Sequence, residues 1–248
     1  MSPIPSVVHW GNPTANKRVM LIHGMTSSAE TWSVVAQELA AKGYFVVAPN
    51  MIGHASRWSQ DYRIRAFSKD LLPYFSNGAK YDAIAGHSLG AVVALDLITL
   101  LSPATIPNLL LIDPPLDIPP EQTAINRGWI VDEIANKKGI EFYATNNPRW
   151  SQENIVGRIL ALYGCSVDVV DAIIDQNDPF SFKHLLDEIP PSVRVSALLA
   201  DPAVAACPAE LLAPYPQVQV SAVQGSSHWV QSEFPEQVVT AVLQLGEK

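Results

Sequence analysis

A mostly parallel β-sheet covered on both faces by helices is the fold class predicted for this 248-residue chain, and three features predict it. Short apolar runs alternate with longer helical patterns along most of its length, as in α/β layers. The pentapeptide Gly86-His87-Ser88-Leu89-Gly90 joins one such run to an almost wholly apolar helix. Between residues 114 and 191 the alternation stops, bracketed by Pro114-Pro115, Pro119-Pro120 and Pro190-Pro191.

The elements follow in order. Met1-Ser2-Pro3-Ile4-Pro5-Ser6 lacks the basic start and apolar run of a secretory signal, so a cytoplasmic protein is expected. Val7-Val8-His9-Trp10 offers a short outer strand. Val19 to Ile22 is the first strong strand, ending abruptly at His23-Gly24. Glu30 to Lys42 reads as a helix stopped by Gly43, and Tyr44 to Ala48 as a strand closed by Pro49. Ile64 to Ser76 has helical spacing and stops at Asn77-Gly78. Tyr81 to Ala85 is a strand running into Gly86, and Leu89 to Leu101 is a helix apolar enough to lie against a central sheet. Leu109 to Ile112, Val195 to Leu199 and Val218 to Val223 are further strands, and Gln237 to Leu245 is a closing helix. Helical patterns at Ala124–Lys138, Gln152–Tyr163 and Val167–Gln176 fill the interval. Residues 1–113 and 192–248 are therefore expected to form one core, with 114–191 a helical cap inserted between two late strands.

Composition narrows the function. Nearly half the residues are apolar and 16% are charged, a globular balance. The net charge of −8 argues against nucleic-acid binding, which needs cations to neutralise phosphates. Residues 114–191 hold twelve acidic against six basic side chains, which reads as a solvated acidic face. No run approaches a membrane span, so no membrane partner is expected. Cys165 and Cys207 have no Cys-x-x-Cys spacing, and the histidines at 23, 54, 87 and 228 have no paired ligand spacing. No metal is expected.

A strand, then Gly-x-Ser-x-Gly, then a buried helix sets a nucleophile at a turn that only small neighbours permit. Ser88 is that candidate. A serine hydroxyl needs a base to take its proton and a third group to orient the base. His228 lies between the last strand and the last helix and is the candidate base. Two carboxylates compete for the third role. Asp201 follows the strand nearest in sequence to His228 and is preferred; Asp113 follows Leu109–Ile112 and is the alternative. A tetrahedral intermediate also needs preorganised N–H donors. The N–H groups of Leu89, after the nucleophile, and of Met25, in the loop His23-Gly24-Met25-Thr26, are the candidates. Gly24 lets that loop approach closely, and His23 is expected to support it.

In Leu21-Ile22-His23-Gly24-Met25, Pro49-Asn50-Met51-Ile52-Gly53-His54, Gly86-His87-Ser88-Leu89-Gly90, Leu111-Ile112-Asp113-Pro114 and Gly225-Ser226-Ser227-His228 the chain resembles the α/β-hydrolase superfamily, in its lidded esterase and lactonase branch. The resemblance implies Ser88, Asp201 and His228 as a triad, Met25 and Leu89 as oxyanion donors, and no cofactor. Two departures stand out. The Gly-x-x-Asp turn usual before the acid is shortened to Leu199-Ala200-Asp201-Pro202, and some lactone-cleaving relatives take their acid from the strand where Asp113 stands. Relatives with dehalogenase or epoxide hydrolase chemistry place an aspartate where this chain has Ser88.

The expected reaction is hydrolysis of an ester or lactone of a medium, largely apolar small molecule, by a monomer or homodimer. Gly24, Met25, Trp129, Trp150 and Trp229 are the candidate substrate contacts. Two other readings compete. One is a lyase resembling hydroxynitrile lyases, which needs Lys137, Lys138 or Lys183 to reach the pocket. The other is a small-ligand receptor that keeps the triad and turns over slowly.

Overall fold

The computed structural model describes residues 6–246, so Met1–Pro5 of the N-terminal reading lie outside the described residues. Seven strands form one sheet in the order β1-β3-β2-β4-β5-β6-β7. They are β1 (Val7–Trp10), β2 (Lys17–Ile22), β3 (Tyr44–Pro49), β4 (Ala83–His87), β5 (Asn108–Ile112), β6 (Arg194–Leu199) and β7 (Val218–Ala222). Only β1 is antiparallel, paired to β3 with Val7 opposite Pro49. All other pairs are parallel, as the alternation of strands and helices predicts.

Strand alternation divides the core. Val19 and Leu21 face one layer, with Val35 and Leu39 of α1 (Ser33–Ala41) and Val238 and Val242 of a C-terminal helix. Met20 and Ile22 face the other, with Phe67 of α2 (Ile64–Leu71). A two-residue period along β2 therefore suffices to feed both layers. α3 (Leu89–Ile98) is buried at all ten positions, which explains its lack of a polar face.

Several boundaries differ from the predicted ones by a few residues; the helix expected over Ala124–Lys138, for one, runs Pro120–Ala135, and two other helices change type at one end. The helix expected from Glu30 begins as a 3-10 turn, Ala29–Trp32, before α1. The helix expected to reach Ser76 ends at Leu71, and Leu72–Gly78 is 3-10. Pro73 sits at that junction, where it cannot donate to a preceding carbonyl.

Between β5 and β6 lie α4 (Pro120–Ala135), α5 (Ile140–Asn146), α6 (Gln152–Tyr163) and α7 (Val167–Gln176). The last two match their predicted bounds because each carries a serine N-cap. Ser151 Oγ accepts from Asn154 N–H at 3.1 Å and Ser166 Oγ from Val169 N–H at 3.4 Å. The short α5 has too few turns to show a helical period. After β6 come α8 (Ala209–Leu212), then past β7 α9 (Val230–Glu233) and α10 (Pro235–Gly246).

Candidate active site

Ser88 sits between β4 and α3 with φ 53°, ψ −125°, a left-handed conformation that costs a non-glycine residue energy. The flanking glycines make the turn possible. A β-carbon at Gly86 would collide with the Gly90 carbonyl, and one at Gly90 with the carbonyls of Ile22 and His23. Ser88 N–H donates to Ile112 O at 2.9 Å, which brings the ends of β4 and β5 together. The residue that follows β5 is Asp113, also left-handed at φ 42°.

Asp113 is fully buried, and both carboxylate oxygens are occupied. Oδ1 accepts from Ala200 N–H and Ala206 N–H at 3.2 Å; Oδ2 accepts from Ala206 N–H at 3.1 Å. Oδ2 also receives His228 Nδ1–H at 2.5 Å. The structure thus brings the alternative, Asp113, and not the preferred Asp201, to the His228 ring. Asp201 is partly exposed, and its carboxylate accepts from Gly225 N–H at 2.7 Å and Ala203 N–H at 3.0 Å. Those two donors hold its carboxyl below the usual range. Nearness in sequence to His228 does not bring Asp201 to its ring. The loop doubles back, so His228 reaches past the end of β6 to the end of β5, while Asp201 secures the turn that carries it.

His87, inside the serine turn, is buried and neutral. Burial and then the neighbouring His228 push its pKa well down. Gln231 Nε2 donates to its Nδ1 at 3.2 Å, so Nε2 carries the proton and donates to the His228 carbonyl at 2.9 Å. The rings of His87 and His228 lie 4.7 Å apart. His228 is thus held through its own backbone by the residue beside Ser88. Among the described residues, Ser88 Oγ and His228 Nε2 make no hydrogen bond.

The loop after β2 is braced by two more buried histidines. His23 Nε2 accepts from Met51 N–H at 3.0 Å, leaving Nδ1–H to donate to Gly24 O at 2.8 Å. In a trans peptide the carbonyl and the next N–H point opposite ways, so anchoring Gly24 O aims Met25 N–H away from it. His54 Nε2 accepts from Thr26 N–H at 3.0 Å. Burial, the largest cause for both rings, lowers His54 to about 4 and His23 well below its ordinary value. Gly24 packs so closely that a β-carbon there would lie 3.0 Å from Ser88 Cβ. Leu89 opens α3, and its N–H has no carbonyl to bond within the helix.

The aromatic candidates divide. Trp229 is half-buried, with its ring 5.4 Å from His87 and 5.5 Å from Trp150, itself nearly buried. Trp129, by contrast, is 70% exposed on α4 and faces solvent. The lysines required by the lyase reading lie elsewhere. Lys183 is exposed and paired with Asp117 at 3.0 Å. Lys137 lies over the exposed ring of Tyr163, and Lys138 over Phe142.

Arg158 of α6 was not anticipated. It is buried at 2% exposure, lies 4.5 Å from the Trp229 ring and donates to Thr26 O and Oγ1 at 2.8 and 3.0 Å. Its other nitrogens bond Glu133 of α4, which also accepts from Tyr143 Oη at 2.6 Å. The signal in the sequence was a charge on the apolar stripe Ile155, Ile159, Leu162.

Cys165 and Cys207 are both free and buried. Among the described residues no group of three His, Cys, Asp or Glu could hold a metal ion, and no helix is long and apolar enough to cross a membrane.

A family model described as "Alpha/beta hydrolase family" matches residues 19–241, and the chain belongs to that family. Among solved structures it is similar to a bromoperoxidase from Bacillus anthracis, at TM-score 0.79 and 17% identity, covering 99% of this chain and 96% of that one. It is also similar to a thermophilic esterase from Thermogutta terrifontis, at TM-score 0.71 and 20% identity over 98% and 92% of the two chains. At those identities the likeness is one of fold. Lipase LipV of Mycobacterium tuberculosis is 32% identical over 104 residues, 41% of this chain and 39% of that protein. An uncharacterised protein of the same organism is 34% identical over 82 residues, 31% and 23% of the respective lengths. The match thus spans less than half the length of these curated relatives.

Proposed function

We propose that the protein is a cofactor-independent serine hydrolase cleaving a carboxylic ester or lactone through an acyl-enzyme on Ser88, with His228 as base and Asp113 as its orienting acid. The observation that carries this is the His228 Nδ1–Asp113 Oδ2 contact of 2.5 Å beside the strained serine turn. Asp113 fixes the tautomer in which Nε2 is free to take the Ser88 proton. The serine attacks the carbonyl carbon, and the oxyanion is received by the N–H groups of Met25 and Leu89. His228 then protonates the leaving alcohol and activates a water for deacylation. Catalytic hydrogen bonds commonly close only in the substrate complex, which accommodates the open Ser88–His228 pair.

Met25, Trp150 and Trp229 favour a largely apolar substrate, with α4–α7 as the cap over it. The esterase and lipase among the similar proteins agree with this class. The test is turnover of p-nitrophenyl esters and aromatic lactones by wild type and Ser88→Ala. Loss of at least about 10³-fold in kcat on mutation is expected. Wild type that cleaves none of the panel, or Ser88→Ala that cleaves it equally well, overturns the proposal.

A further inference from the structure

α6 touches both halves of the site. Arg158 donates to Thr26, one residue beyond the Met25 donor, while Asn154 Nδ2 donates to Ser232 O at 2.9 Å, close behind His228. The helix comes this near because residue 157 is glycine; a β-carbon there would lie 2.9 Å from Glu30 O. Thr26 is a β-branched residue at φ 58°, a conformation that persists only where surroundings enforce it. Its N–H is held by His54, and its carbonyl and hydroxyl by Arg158.

We propose that Arg158 is a positioning residue: it clamps strained Thr26 so that the adjoining Met25 N–H stays aimed at the oxyanion, making competence of the site depend on docked α6. The inference rests on the serine-hydrolase reading for its catalytic consequence. Glu133 neutralises the buried guanidinium and sets its plane, and Tyr143 Oη fixes Glu133 in turn. A lysine could not replace it, since one ammonium cannot span a two-oxygen Thr26 contact and a carboxylate in one plane. The guanidinium is too enclosed to bind substrate, so its effect falls on the transition state.

Arg158→Lys tests the tether directly, and Glu133→Met/Arg158→Met removes both charges together, which avoids stranding one in the core. Three quantities are read in the folded variants: kcat and KM, the rate at which a p-nitrophenyl phosphonate captures Ser88, and amide hydrogen exchange over residues 23–28. Expected are a fall of about tenfold or more in kcat with KM within about threefold. Phosphonate capture should slow in parallel, because its adduct carries the same oxyanion. Exchange at Thr26 and Ser27 should speed up by about tenfold. A folded double variant with unchanged kcat and unchanged exchange overturns the inference. So does a rise in KM alone, which would make Arg158 part of the pocket wall. Wild type inactive on every ester and lactone would overturn the hydrolase reading instead, and the exchange data would still decide whether Arg158 holds the loop.

Discussion

At the scale of single residues, the site depends on which atoms are already occupied. Asp113 Oδ2 accepts from His228, whereas the two oxygens of Asp201 are engaged by backbone donors, Ala203 N–H of its own loop and Gly225 N–H of the loop that carries His228. Asp113→Asn should lower kcat by about 10⁴-fold, because an amide that keeps its carbonyl on Ala200 and Ala206 turns its NH₂ toward His228 and selects the wrong tautomer. Asp201→Asn should stay within about threefold, since an amide oxygen can still accept from Gly225 N–H. Parallel ester kinetics and thermal unfolding would check both, and the opposite ranking in folded proteins would return Asp201 to the triad. Tautomers matter as much as identities. His23, His54 and His87 are each neutral, with one nitrogen accepting and the other donating, so each orients a backbone group that a charged ring would repel.

At the scale of elements, the serine turn and the helices of the inserted segment obey different constraints. β4, the Ser88 turn and α3 are packed on backbone atoms, which cannot move aside. Gly90→Ala should therefore destabilise the protein by about 3 kcal/mol or more, as overpacking against rigid carbonyls does. Gly128, exposed in α4, has no heavy atom within 4 Å of where a β-carbon would stand, so Gly128→Ala should stabilise by about 1 kcal/mol through helix propensity alone. Urea unfolding of both variants would measure the contrast; equal effects would contradict it. α6 differs from its neighbours in having a buried face that is partly polar, with Asn154, Gly157 and Arg158 among its buried residues. That face is where the inserted segment meets the site.

For the whole molecule, the buried titratable groups define a window of stability. His23, His54 and His87 have pKa values lowered mainly by burial, so below the ordinary 6.5 the unfolded chain takes up protons that the folded one refuses. Stability should fall as pH drops from about 6.5 toward 4, by about 2 kcal/mol at pH 5 from His54 alone. In alkali the sign is reversed in cause and the same in outcome. Burial raises Cys165 to about 11 and Cys207 to about 12 from an ordinary 9, so the unfolded chain releases protons first and stability declines above about pH 9. Urea midpoints at pH 5, 7.5 and 10 should peak at the middle value. A midpoint at pH 5 equal to that at 7.5 would show that the three histidines titrate freely.

What the sequence determined by itself is everything carried by local pattern. Short apolar runs such as Val19–Ile22 set the strands, an almost wholly apolar Leu89–Ile98 required a helix buried against a sheet, and Gly86 and Gly90 around Ser88 marked the turn. Ser151 and Ser166 set the starts of α6 and α7 for the same reason, because a cap acts within three residues of itself. The family could be read on these grounds. Tertiary structure decided what depends on chain segments far apart in sequence. The partner of His228 turned on how a loop folds back over β5, 115 residues away, and the local signals around Asp113 and Asp201 are alike: each is an aspartate at a strand end followed by proline. Trp129 and Trp150 are equally aromatic, yet only packing sends one to solvent and the other against Trp229. Arg158 meets Thr26 across 132 residues, and no spacing rule connects them. Local pattern specifies elements because their forces act between near neighbours; a site is made where separate elements end, and only their packing brings those ends together.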